Sequence, residues 1–298
     1  HHMTTLDRHL IEENTWRILR RNHQERIDAW IVPHLDRRRL GIAHPVQDFM
    51  FDYYNLSPAK LRRWHPGWGF ALFGDVAEWS DVRGYQVNNK HAYVDESTIN
   101  YALVHDILHL LERTQQRPAA LGCFGRHEWA MVYQLNPGEV RHSARPLRLP
   151  PAQIAEVVES SPLRCTHFDA FRFFTQSAKP LNSVSPTRAT QADLEQPGCL
   201  HAAMDLYKWA YRIYPLVGAD LLADCFELAH HTRTIDMRAS PYDLTEAGYL
   251  PITIETPSGR AEYVVHQREI SERAQRLRSE LISVIHRATD ATSSCTPG

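Results

Sequence analysis

No apolar run in this 298-residue chain approaches the roughly 20 residues that cross a bilayer, and no hydrophobic signal region follows Met3. That excludes a membrane-spanning helix and sets the expectation of a cytoplasmic protein. Cysteine is scarce as well. Five cysteines, one of them Cys295 in a polar tail, do not make a disulfide framework, so Cys123, Cys165, Cys199 and Cys225 read as reduced thiols. An excess of positive charge is also missing. A formal charge of −2 supplies no global field for a phosphate backbone, and the clusters Arg37-Arg38-Arg39 and Arg62-Arg63 read as solvated surface among balanced acids. There is no Gly-x-Ser-x-Gly elbow, no phosphate-cradling Gly-Lys-Ser/Thr loop, no dinucleotide glycine fingerprint and no internal repeat. His127-Glu128 begins a zinc-helix pattern, but Trp129-Ala130-Met131-Val132 follows and the second histidine is missing.

What is present is apolar bulk. At 43% hydrophobic residues the chain can bury a large core. The pattern predicts a mainly α fold: a bundle-like single helical domain over residues 3–287 with an N-terminal covering helix and a small β component. His1 and His2 look like a tag remnant, and 288–298 reads as a flexible tail. Helical spacing runs over 5–31, where Pro33 ends it, and over 46–54, 95–116, 151–160, 200–214, 219–234 and 267–286. Ser57-Pro58 starts a further short segment, and residues 122–133 form a glycine turn leading into a buried helix. Strands are predicted at 146–149 and 163–168, with a hairpin at 252–255 and 261–265 around Thr256-Pro257-Ser258-Gly259. Residues 175–197 read as a long loop.

The helix at 200–214 carries the strongest functional signal. At about 100° per residue, His201, Asp205, Lys208 and Arg212 share roughly one sixth of its circumference, and apolar side chains cover the rest. So thin a polar stripe implies either a polar cavity inside the fold or a buried ion-pair ladder of Asp205 with Lys208 and Arg212.

Three cysteines lie close to histidines, Cys123 to His127, Cys165 to His167 and Cys199 to His201, and imidazole is a common ligand for zinc and iron. None of these pairs has C-x-x-C spacing, so the histidines are better ligand candidates than the thiolates. Asp106 with His109, and Glu227 with His230, imitate the carboxylate-x-x-His pattern of di-iron bundles, but both pairs fall on the polar sides of their helices and read as solvated. His127 and Glu128 precede an apolar segment, and His167 and Asp169 precede Phe171-Arg172-Phe173-Phe174. Held in low dielectric, such groups can move protons or bind a metal. His44, Asp48, Tyr53, Tyr54 and His65 form another polar-aromatic group that could border the same cavity.

The strings GCFGRHEWAMVY (122–133), CTHFDAFRFF (165–174), EQPGCLHAAMDLYKWA (195–210) and DMRASPYDL (236–244), preceded by HPVQDFMFDYY, resemble a mostly actinobacterial family that carries the label 3-methyladenine DNA glycosylase. The likeness spans roughly 40–285 and implies removal of alkylated bases from DNA. In that reading an acid such as Asp205 activates water while Tyr53, Tyr54 or Trp64 stacks on the base. The glycine-rich DNA hairpin of helix-hairpin-helix glycosylases is not found in the sequence. The residues themselves favour a metal-dependent enzyme, a non-haem iron oxygenase or oxidase acting on a small molecule, with zinc or haem as alternative cofactors. His127, His167 and His201 are the expected metal ligands, and Glu128, Asp169 and Asp205 complete the shell or move protons. Tyr53, Tyr54, Arg172, Lys208 and Arg238 are the expected substrate-binding residues, the three cations holding an anion. A non-catalytic ligand- or haem-binding protein is the remaining alternative.

Overall fold

A computed structural model of the chain describes residues 7–135 and 145–293. The tag-like His1-His2 start and Cys295 lie outside them. The first helix, α1 (Glu13–Leu40), runs through Pro33, where the sequence predicts its end. Proline removes one helical bond, but the helix-forming residues around it outweigh that single loss. Its real stop is Gly41, left-handed at φ +70°, whose N–H caps the carbonyls of Arg37 and Arg38. Arg37 is not simple solvated surface, because its guanidinium bonds Asp48 and Gln47.

The β component is real but sits elsewhere than predicted. Strands β1 (His9–Ile11), β2 (Phe70–Phe73), β3 (Tyr85–Asn88) and β4 (His91–Val94) form one sheet in the order β1-β2-β4-β3. β1 runs parallel to β2, and the other pairs are antiparallel. Asn89, at φ +54°, makes the two-residue turn between β3 and β4, a conformation asparagine tolerates. The stretches 146–149 and 163–168 supply only the isolated bridges Leu147–Tyr242 and Leu163–Asn182, since no neighbouring strand extends either ladder.

Short helices follow: α2 (Phe49–Asp52) and α3 (Pro58–Arg62), the latter capped by Ser57, whose hydroxyl accepts from the Lys60 N–H. α4 (Tyr101–Gln116) starts later than expected because Asn100 caps it. α5 (Arg126–Ala130), α6 (Pro151–Glu159), α7 (Phe168–Phe171) and α8 (Gln191–Leu194) lead into the centre. There α9 (Leu200–Arg212), α10 (Ala219–Arg238) and α11 (Pro257–Ser293) pack mutually, with α4 against α11 and α1 against α10.

The predicted hairpin at 252–265 is instead the start of α11. Thr256 Oγ1 accepts the Gly259 N–H at 3.0 Å, and Pro257 occupies the first helical position. Thr-Pro followed by helix formers is a helix entry, not a turn. The same helix carries the chain to Ser293, past the predicted start of the tail at 288, with Ala288 fully buried. No described helix is long and apolar enough to cross a membrane.

Candidate functional site

The polar stripe of α9 faces inward only at its N-terminal half. Asp205 is 3% exposed, and Arg212 lies at the surface. Asp205 does not form the ladder with Lys208 and Arg212. Its partners are His167 Nε2 at 2.7 Å and the Tyr54 hydroxyl at 3.3 Å.

Two groups of ligating side chains, all buried except the partly exposed His201, meet around this stripe. The first takes His127 and Glu128 from α5, His201 from α9 and Asp236 from α10, with potential ligand atoms all within 4.8 Å of one another. α5 can deliver both of its residues because Gly125 turns the chain in a left-handed conformation, φ +69°, directly against the Tyr263 ring. His127 Nε2 lies 2.6 Å from Asp236 Oδ1. Arg233, one turn before Asp236, reaches both Glu128 and Asp236 at 3.5 Å. Burial opposes the charge on Asp236, but the adjacent His127 outweighs it and holds the carboxyl far below its ordinary range. Burial likewise disfavours an imidazolium at His127, and the Asp236 carboxylate reverses that, raising it. Glu128 is pushed up to about 7 by burial and by Asp236. His201 differs from all of these. Burial and neighbouring His127 keep its ring neutral, and it makes no hydrogen bond among the described residues.

The second group is His167, Glu195 and Asp205, again within 4.8 Å. His167 caps α7, its Nδ1 accepting the Ala170 N–H at 3.2 Å. A neutral ring with Nδ1 so engaged carries its proton on Nε2, which points at Asp205, with Glu195 3.6 Å away. Burial raises the Glu195 carboxyl. This second group is therefore a hydrogen-bonded one, and metal binding through Nε2 would deprive Ala170 of its acceptor.

The three predicted histidines do adjoin: the His201 ring lies 4.4 Å from that of His127 and 5.2 Å from that of His167. Their ligating atoms nevertheless divide between two groups and do not converge on one point. Glu128 and Asp205 take one group each. Asp169 belongs to neither; it accepts from the Tyr53 hydroxyl and pairs with Arg172 at 2.8 Å. Tyr53 and Tyr54 thus hold carboxylates. Arg172 is engaged by Asp169, and Arg238 bonds the Leu250 carbonyl away from the two groups. Lys208 does line an open cleft, together with Asp169 and Asp205.

Cys123, Cys165 and Cys199 line a cavity of about 30 Å³ bordered by His127 and His201. Burial raises all three thiols, Cys165 to about 12, so they stay protonated, and none joins either ligating group. Asp106 and His109 are exposed as expected, whereas Glu227 and His230 are covered by α1, through Arg26 and Trp30 respectively. His34, His44 and Asp48 form a separate network, and His65 bonds Tyr85.

Sequence reasoning missed Asp236, Arg233 and Glu195. Ending the tenth helix at 234 put Asp236 in a turn; carried on to Arg238, the helix sets Arg233 and Asp236 on its buried face. Glu195 was absorbed into the long loop, and no spacing signal marks it. Compared with known protein families, curated proteins and solved structures, the chain matches none of them.

Proposed function

We propose that this protein is a metal-dependent enzyme acting on a small molecule, with a non-haem iron ion held by His127, His201 and Asp236. The observation that carries this reading is His201, a neutral imidazole without a hydrogen-bond partner among the described residues, set against a second histidine and two buried carboxylates. Its ring, only partly covered, keeps a nitrogen lone pair available to an ion beside the buried His127, Glu128 and Asp236. Two histidines and one carboxylate with room for further ligands are the donor set of non-haem iron(II) oxygenases. When bound, such a metal supplies Lewis acidity and redox chemistry.

The protein's own groups have distinct parts. Asp236 offers its carboxylate and Arg233 offsets the surplus negative charge. Glu128, balanced near neutral pH, is suited to accept or release a proton beside the ion. His167, fixed by Ala170 and Asp205, can pass its Nε2 proton to the Asp205 carboxylate that borders the cleft. A haem is not part of the proposal, because the space of about 30 Å³ beside His127 and His201 is far too small for a porphyrin.

Elemental analysis of protein purified without chelator tests the reading. About one iron per chain is expected, lost in His201→Ala, whereas His109→Ala keeps the wild-type content. A wild-type protein that takes up neither iron nor another divalent metal on reconstitution refutes it. Release of methylated bases from duplex DNA by metal-free protein would favour the glycosylase reading instead.

A further inference from the structure

Asp205 connects the buried groups to the surface. It forms part of the floor of a cleft of about 420 Å³ whose walls carry Arg188, Lys208 and Arg212. A second recess of about 210 Å³ continues from it, sharing Asn55, Tyr211 and Arg212, and adds Lys60, Arg63 and Arg83. No carboxylate forms an ion pair with any of these six cations among the described residues. Five of the six are exposed and Lys208 is half-buried.

The two recesses differ in their acids. The first includes Asp169 and Asp205, each already held by its own partner, Arg172 and His167 respectively. The second has no carboxylate in its lining; besides its four cations it has Leu56, Val217 and Leu222. A chain whose net charge is −2 has concentrated unpaired positive charge along one groove leading to its buried acids. Surface cations normally find carboxylates within reach, so a run of them left free marks a place where a ligand brings the negative charge.

We propose that the groove binds a small organic molecule carrying a phosphate or diphosphate at one end, the phosphate seated among Lys60, Arg63, Arg83 and Arg212 and the body extending past Lys208 to Asp205. This names the substrate class of the metal-dependent enzyme proposed above and rests on that reading for the reaction, though not for the binding. The acids on the floor of the first recess disfavour a continuous phosphate backbone there, whereas an uncharged body meets no repulsion.

Calorimetric titration of the full chain with inorganic pyrophosphate, before and after chelation of metal, tests the proposal. Binding is expected in both forms and should weaken about tenfold in Arg83→Gln and again in Arg63→Gln, with a smaller change in Lys208→Gln. Far-ultraviolet circular dichroism and metal content of each variant should equal wild type. Absence of pyrophosphate binding, or binding indifferent to Arg63 and Arg83, overturns the proposal. So does a twelve-residue oligothymidylate that displaces pyrophosphate and binds more tightly, which would assign the groove to nucleic acid. Pyrophosphate binding with the expected variant dependence in a chain that holds no metal would leave this inference standing and remove the metal reading.

Discussion

Replacing Asp236 by Asn isolates the charge at the centre of the first group, because the side chain keeps its size and loses only its negative charge. In the native fold Asp236 is 1% exposed, lies 2.6 Å from His127 Nε2 and is reached by Arg233 at 3.5 Å. Removing one member of a buried pair costs about 3–5 kcal/mol, because the other is left charged in low dielectric. Two features draw the value toward the lower end. His127 can give up its proton once the carboxylate is gone, since burial already disfavours the imidazolium. Arg233 keeps Glu128 at 3.5 Å as an alternative partner. The expected loss is therefore about 3 kcal/mol for the metal-free protein at pH 8. Urea denaturation followed by tryptophan fluorescence and circular dichroism measures it, and coincident curves from the two probes would license a two-state analysis. Metal content of the same variant, reconstituted under identical conditions, should fall below half of wild type. A stability change under about 0.5 kcal/mol together with full metal content would refute the account of Asp236 as both the charge partner of His127 and a ligand.

The metal-free fold should lose stability in acid at His65: buried and pushed down to about 3, it accepts from a Tyr85 hydroxyl whose oxygen is already taken by the Gly67 N–H. A histidine depressed in the fold is neutral there and titrates near 6.5 when unfolded, so its destabilising contribution begins as pH falls below about 6.5 and reaches about 2 kcal/mol at pH 5. His65→Gln should remove that increment, and equal acid sensitivity of the two proteins by thermal unfolding would contradict it. Thr256→Ala, which deletes the cap of α11, should cost about 1 kcal/mol in the same assay, and no change would return the Thr-Pro-Ser-Gly segment to a mere turn. His230→Ala should leave metal content unchanged while lowering stability by about 1 kcal/mol through loss of its 4.4 Å contact with Trp30; loss of metal instead would revive the paired carboxylate-x-x-His reading.

The sequence made the helices legible wherever apolar periodicity ran long, as in α4, α6, α9 and α10, because one face of each is buried against a neighbour. It failed where local chemistry was ambiguous. A proline inside α1 and a Thr-Pro pair opening α11 are both punctuation, and which way each is read depends on residues a turn away. The four strands were missed altogether, since each has only three or four residues and too little alternation to register as a period. Their partner strands come from segments up to about sixty residues apart, a distance that a local window cannot bridge.

The candidate site divided along a similar line. Histidines stood out in the sequence because imidazole amid apolar residues is unusual, and His127, His167 and His201 do meet. Glu128 and Asp205 stood out with them through their apolar neighbours, but Asp236 and Glu195 did not, because Asp and Glu occur everywhere on a surface and only tertiary packing separates the few that are buried. Asp236 and Glu195 are 1% and 2% exposed, yet nothing in DMRAS or LEQPG distinguishes them from solvated acids. The same holds in reverse for the cations: Arg172 and Arg238 looked as available as Lys208 and are both engaged, whereas Arg83 and Arg188, in unremarked loops, find no carboxylate partner among the described residues. Availability for a ligand is a property of what a charge fails to find nearby. A linear sequence records which charges exist, and only the fold determines which of them are left without a partner.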